Sequence, residues 1–161
     1  MNPVIKRLSV GALSLSAAGL LAICGYEGFS DTVYIPVPGD GPTAGFGHKD
    51  SRLRVGEIVT SAQALAWLGS DVKTAEEAVR RCVRVPLYQH EFDAYVSFAF
   101  NVGGGAFCSS TLVKKLNAGD YAGACGELKR WIYSGGVKYG GLEARRKMET
   151  MTCVQGVYPQ K

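Results

Sequence analysis

At 161 residues the chain is long enough for one domain with a sizeable core. Its 47% hydrophobic and 20% charged content excludes a disordered chain. A net charge of +4, without a dense Lys/Arg run interleaved with aromatics, excludes a nucleic-acid binder and suits a polyanionic partner.

The first 26 residues contain no Asp or Glu, and Lys6 and Arg7 precede an uncharged run from Leu8 to Tyr26. That run is 19 residues, close to the roughly 20 that cross a bilayer as a helix. Ten of the 19 are Gly, Ala or Ser, so the span is a weak one. The positive flank predicts a cytoplasmic N-terminus with the rest exported. Three readings follow: a cleaved signal peptide, a lipoprotein signal ending at Cys24, or an uncleaved anchor weak enough to leave the membrane later. Ile23 is bulky where a lipoprotein signal needs a small residue.

Beyond the apolar run, residues 33–37 and 42–46 read as two short strands around the turn Pro38-Gly39-Asp40-Gly41, a hairpin whose prolines confine it to a sheet edge. Thr60 and Gln63 form a capping-box signature. Leu65, Leu68, Val72, Ala75 and Val79 then recur at the spacing of one helical face. A second helix is predicted over residues 89–102, with Phe92, Val96, Ala99 and Phe100 inward and Gly103-Gly104-Gly105 at its end. Shorter helices fit residues 110–117, 121–133 and 142–153. Asp120 is a candidate cap, and Gly135-Gly136 and Gly140-Gly141 are expected breaks. The fold class is α+β, mostly α.

Glu27 is the first acid in the chain, directly after the apolar run. A carboxyl at the end of an apolar helix is partly desolvated, and desolvation favours the proton-bearing form that a general acid needs. Cleavage of a glycosidic bond needs such an acid, and a second group for the opposite sugar face. Asp40 is the candidate for that second group, with Thr43 to hold a water. The plain readings are a solvated helix end, a turn former and a strand residue.

Glu27-Gly28-Phe29, Tyr34 and Pro42-Thr43-Ala44-Gly45-Phe46-Gly47-His48 resemble the active-site hairpin of phage-type lysozymes, glycoside hydrolase family 24. Phe98 to Gly103 with Ser110-Thr111-Leu112 resembles a second family block. Gly123-Ala124-Cys125, Arg130-Trp131, Gly135-Gly136 and Gly141 to Arg146, ending at Cys153, resemble a third. The resemblance covers about residues 20–155. It implies a lysozyme-like fold with one small β hairpin and a helical lobe. The implied activity is an endolysin, a muramidase that hydrolyses the β-1,4 bond between N-acetylmuramic acid and N-acetylglucosamine in peptidoglycan during host-cell lysis. It implies Glu27 as general acid and Thr43 beside the attacking water, with no cofactor and no metal. The family's aspartate, counted forward from Glu27 or back from Thr43, falls on Pro36 or Val37. Asp40 is therefore assigned that role; Asp31 is the poorer substitute. His48 maps to a histidine expected to buttress the hairpin. His90 is expected on a helix surface, the Phe98/Phe100 stripe in the core, and Arg145 and Arg146 facing solvent or the anionic wall.

The five cysteines form no CxxC pair and no Cys/His cluster, which argues against zinc. The resemblance implies disulfides Cys82–Cys108 and Cys125–Cys153. Cys24 is left as a possible regulatory thiol or a small buried apolar residue.

The family places its acid at the end of the first helix, which here can only come from residues before Glu27. Cleavage near residues 18–24 would leave that acid unsupported. Residues 1–26 are thus expected to be an uncleaved signal-anchor that becomes the first helix, with residues 27–161 as the catalytic domain. This resembles signal-arrest-release endolysins. It implies export by the host secretion machinery, transient tethering in the inner membrane through residues 8–26, and release as a monomer into the periplasm. The rival readings are a lytic transglycosylase, which uses one Glu and no Asp and so stays open without the family's aspartate, or a chitinase-like hydrolase, and a non-catalytic wall-binding degenerate lysozyme.

Overall fold

The computed structural model describes residues 6–159. The chain divides into two compact units, one of residues 23–73 and one of residues 1–22 with 74–161. Helices α1 (Ala17–Glu27) and α2 (Ser61–Cys82) each contribute to both.

The smaller unit is built on a three-stranded antiparallel sheet in the order β1 (Ser30–Tyr34), β2 (Thr43–Gly45), β3 (His48–Lys49). The first strand ends at Tyr34, earlier than the residue pattern predicts. Pro36 and Pro38 have no N–H to donate, so a ladder cannot continue through them. Ser30 stands opposite Gly45 and Tyr34 opposite Thr43, with an irregularity between them. The third strand escapes a pattern search because it is two residues long. The free edge of β1 is covered by the following loop: Val33 N and Val59 N donate to Glu57 O and Asp31 O, and Gly56 N donates to Val33 O. That protects an edge that would otherwise pair with another chain. Val33, Ala44, Val59 and Ala64 form the buried centre, with Phe46, Leu53 and Trp67 packed against it. At about 1.5–3 kcal/mol for each large apolar side chain buried, this small cluster stabilises the sheet only modestly.

The start of α2 is capped as its sequence indicates. Gln63 N donates to Thr60 Oγ1 at 3.2 Å, and Thr60 N donates to Gln63 Oε1 at 3.0 Å. The inward face begins one residue earlier than expected: Ala64 is buried and Leu65 is exposed.

In the larger unit α3 (Gln89–Val102) is central. Residues 91–99 are all buried, not merely one stripe, so this is a helix enclosed on every side. Its polar members are satisfied: Glu91 by Arg7, Asp93 by Ser16, and Ser97 by Glu149. Phe98 packs edge-on against Phe107 and Trp131, while Phe100 is only partly buried. Gly103 ends α3 at φ 85°, and the chain re-enters a helix at once, α4 (Gly104–Ser109). Gly104 lies so close to Ala78 that a Cβ would come within 2.9 Å of it, so this glycine serves a close approach and not only a helix stop.

Helices α5 (Thr111–Asn117) and α6 (Tyr121–Glu127) follow, capped by Ser110 and Asp120 through their side-chain oxygens. A 3-10 turn (Leu128–Arg130) leads to a second hairpin, β4 (Tyr133–Ser134) and β5 (Val137–Lys138). Its two-residue turn is Gly135-Gly136, both at positive φ, as such a turn demands. Helix α7 (Gly140–Gln155) begins at the glycine pair expected to be a break. Arg145 and Arg146 do not face solvent. They are buried and paired with the buried Glu149. His90 is partly buried, with Nδ1 3.1 Å from the carbonyls of Thr152 and Cys153.

Disulfides join Cys82 to Cys108 and Cys125 to Cys153, and Cys24 belongs to neither bridge. Of the apolar run, only residues 17–26 are helical. Residues 10–12 form a 3-10 turn and Leu8 bridges to Leu87. No described helix is long and apolar enough to cross a membrane.

Candidate active site

The smaller unit holds Glu27, Asp40, Thr43 and His48 together with the sheet. Glu27 is the last residue of α1, half-buried. Gly28 follows at φ 68°, and its N–H returns to Cys24 O at 3.2 Å, a left-handed helix stop that turns the chain into β1. The Glu27 carboxylate lies against the turn between β2 and β3. A Cβ on Gly47 would stand 3.0 Å from Glu27 Oε2, and Gly47 has φ 80°. The segment Gly45-Phe46-Gly47 thus leaves the room that the carboxylate occupies. Gly45 is fixed for a different reason: at φ 62°, a Cβ there would meet Ala64 Cβ at 2.9 Å, so strand and helix touch backbone to side chain.

Thr43 is buried in β2, and its hydroxyl donates to Gly41 O at 3.0 Å. With its proton committed, the oxygen keeps lone pairs to accept from a water. Its neighbour across the ladder is Lys49. The Lys49 ammonium reaches back across the turn to both oxygens of Asp40, each at 2.7 Å. This contact, together with the Gly41 N–H, holds the Asp40 carboxyl below the usual carboxylate range despite an opposing desolvation. Asp50, at the end of the same sheet, is held lower still, at about 2, by the guanidinium and backbone N–H of Arg52. Neither aspartate can serve as a proton donor near neutral pH. The other nearby acids have local partners: Asp71 faces His48, and Asp31 accepts from Thr32 Oγ1.

His48 is fixed on two sides. Nδ1 lies 2.8 Å from Asp71 Oδ2, and the ring stacks on Trp67 with centroids 4.7 Å apart. Asp71 and Trp67 are one helical turn apart on α2, so one face of that helix supports the end of the β2–β3 hairpin. Phe29 and Phe46 pack with ring centroids 5.2 Å apart, and Phe29 remains half exposed. Lys49, Trp67 and Asp71 carry no sequence signature of their own; Gly47 lies within the hairpin motif, but its approach to the Glu27 carboxylate does not show in the sequence. Lys49 becomes visible only once β3 is known to pair with β2.

A half-buried carboxylate against a glycine turn, in the same unit as a buried hydroxyl and an ionised aspartate, supplies the kinds of group that glycosidic cleavage needs. The family model for phage lysozyme matches residues 24–149. The chain belongs to the phage lysozyme family. It is 34% identical over 158 residues to a SAR-endolysin of Bacteriophage PS119, covering 96% of this chain and 94% of that protein. Its fold superposes on an endolysin from Escherichia coli O157:H7 phage FAHEc1 with a TM-score of 0.82 at 35% identity, covering 93% of this chain and 99% of that one. The muramidase domain of SpmX from Asticaccaulis excentricus gives a TM-score of 0.79 at 33% identity, covering 89% of this chain and 99% of that one. As a phage lysozyme the chain is a glycoside hydrolase with the α+β lysozyme architecture, and its substrate is peptidoglycan.

Proposed function

We propose that this muramidase endolysin cuts the β-1,4 bond between N-acetylmuramic acid and N-acetylglucosamine with Glu27 as its general acid. The observation that supports it most directly is the fit of the Glu27 carboxylate against Gly47, where an added Cβ would stand 3.0 Å from Glu27 Oε2. Glu27 passes its proton to the bridging oxygen as the C1–O bond breaks, and positive charge develops at C1. Asp40, held ionised by Lys49, stabilises that charge or takes the proton of the attacking water. Thr43 accepts the water's second hydrogen and orients its lone pair. The water's hydroxide adds to C1 as its proton passes to Asp40, or to the Glu27 carboxylate left by the first step where Asp40 only stabilises charge; in the first case Asp40 then releases the proton to solvent and solvent reprotonates Glu27. His48, fixed by Asp71 and Trp67, buttresses the hairpin and moves no proton.

The Lys49 contact favours a second reading of Asp40. Because one ammonium occupies both Asp40 oxygens, Glu27 and a Thr43-held water suffice, and Asp40 serves as a turn anchor. The Glu27→Gln variant tests the first claim. Activity on purified peptidoglycan is expected to drop by at least about 100-fold with the melting temperature retained; wild-type activity would rule out an enzyme built on Glu27. Mass spectrometry of the products separates hydrolysis from transglycosylation, since an anhydro-sugar end would overturn hydrolysis.

Residues 8–26 act, in this proposal, as a retained tether: exported by the host secretion machinery, held in the inner membrane, then released into the periplasm to form α1. The likeness to SAR-endolysins and the Gly/Ala/Ser-rich run support it. N-terminal sequencing of active enzyme from lysing cells is expected to return the residues before Ala17. Active enzyme that starts near Cys24 would overturn the tether.

A further inference from the structure

The start of α1 is held from outside. Ser16 is its N-cap: Leu20 N donates to Ser16 O at 2.9 Å, and Gly19 N donates to Ser16 Oγ at 3.1 Å. Ser16 is itself seated on Asp93 of α3. Its backbone N–H reaches Asp93 Oδ1 at 3.0 Å, and its hydroxyl donates to Asp93 Oδ2. Asp93 is 1% exposed and accepts two more bonds, from Gln89 Nε2 at 2.9 Å and Tyr158 OH at 2.7 Å. The first turn of α1 has no acidic residue of its own, so Asp93 supplies the negative charge that a helix N-terminus favours. The fit is tight: a Cβ on Gly19 would come within 2.9 Å of Asp93 Cγ.

The residues just before the cap are caught in the same way. Arg80 donates to Leu13 O at 2.6 Å, Gln89 donates to Ser14 O at 2.8 Å, and Leu15 N donates to Glu76. These bonds use backbone groups of residues 13–15 that a continuous helix would keep for itself. They therefore exist only when the chain is unwound ahead of Ser16.

We propose that Asp93, acting through Ser16, is a positioning residue for the catalytic acid: a clasp that nucleates α1 and thereby fixes the helix that ends in Glu27. An 11-residue helix is marginal in water without outside support. The clasp also selects between two forms of the apolar run, because a helix continuous from residue 8 to residue 26 cannot engage it. This inference rests on Glu27 being the acid, and deepens that reading by naming what holds it.

The test is hydrogen exchange and steady-state kinetics on the full chain. In Ser16→Ala, the amides of residues 19–22 are expected to exchange about tenfold faster, as loss of a helix cap implies. The rate at saturating glycan should fall while KM stays within about twofold, because the groove is intact but the acid is loosened. Ser16→Thr, which keeps the hydroxyl, should restore both. Asp93→Asn should add little to Ser16→Ala if the two residues act as one unit. If Asp93→Asn does not fold, the Ser16 pair carries the test alone. Unchanged exchange at residues 19–22 in folded Ser16→Ala, or faster exchange with an unchanged rate, would overturn the clasp. The exchange readout does not depend on Glu27, so an error in assigning the acid would show separately, as an active Glu27→Gln variant with a normal clasp.

Discussion

Lys49 stands opposite Thr43 in the ladder and places its ammonium 2.7 Å from both oxygens of Asp40. One residue of the two-residue strand β3 thus ties together the two groups proposed to act with Glu27. The ion pair lowers the pKa of Asp40, so the carboxylate stays charged further into acid than a free aspartate. If Asp40 must be ionised, the acid limb of the pH–activity profile follows this pKa. Lys49→Met should then shift that limb to higher pH, with activity near pH 7 retained. An acid limb that does not move, together with an active Asp40→Asn, would assign Asp40 to the turn alone.

The same contact has a stability consequence with a definite sign. A carboxylate whose folded pKa is depressed stabilises the fold above its unfolded pKa of about 3.9 and loses that contribution as pH falls through the folded value. Asp40 and Asp50 both belong to this class. For Asp50 the window extends down to about pH 2. Both groups keep part of their surface in water, so salt should weaken the effect. Urea melts of wild type and Asp50→Asn are expected to differ most between about pH 4 and pH 7 and to converge near pH 2. A difference that grows as the pH falls would contradict this linkage.

Thr43→Val keeps shape and removes the hydroxyl. Gly41 O loses a donor but lies at an exposed position where water can replace it, so the stability cost should be no more than about 1 kcal/mol. Activity should nevertheless fall on the order of 100-fold if the oxygen orients the attacking water. Thr43→Ser should recover most of it. Equal rates for Thr43→Val and wild type would leave the threonine a strand residue only.

Much of this was readable from the chain. The Thr60–Gln63 box, the span of α3 and the cap at Asp120 follow from local chemistry acting over three or four residues, which tertiary packing did not override. What sequence missed depends on partners distant in the chain. Period counting could not show that α3 is enclosed on all sides, because its buried acids look solvated until Arg7 and Ser16 are seen beside them. Arg145 and Arg146 mislead for the same reason: their partner Glu149 lies on the same helix, but burial of all three is set by the surrounding helices. In the site, Glu27, Thr43 and His48 were marked by motif. Lys49 was not, and Gly47 was marked only as part of the hairpin, since their roles exist only once a two-residue strand folds back on β2.

Gly47 offers a direct probe of how tightly the acid is held. Gly47→Ala brings a methyl group 3.0 Å from Glu27 Oε2 at a backbone φ of 80° that alanine rarely adopts. The strain should cost about 1–2 kcal/mol. The larger effect should be catalytic, since a displacement of about 1 Å in a catalytic group can cost 100-fold in rate. The control is Gly39→Ala, also at positive φ but with nothing within 4 Å of its Cβ. It should carry a similar stability penalty and keep its turnover. Equal losses of turnover in both variants would mean that backbone strain, not contact with Glu27, is responsible.

The two disulfides differ in access, and this sets the order in which they should break. Cys125 and Cys153 are almost fully buried, joining α6 to α7, whereas Cys82 and Cys108 are half-buried. Reduction proceeds by in-line attack of a thiolate on a sulfur, so an enclosed bond needs local opening first. Under native conditions a thiol reductant should open Cys82–Cys108 before Cys125–Cys153, as read by alkylation and mass spectrometry; the reverse order would contradict the burial. The loops closed span 26 and 28 residues, so chain entropy gives each bridge a similar worth, about 3–4 kcal/mol. Replacing either cysteine pair with alanine should therefore lower the melting temperature by a similar amount, roughly 10 °C. Kinetic lability and thermodynamic contribution would then be separate properties of the two bridges, one set by exposure and the other by loop length.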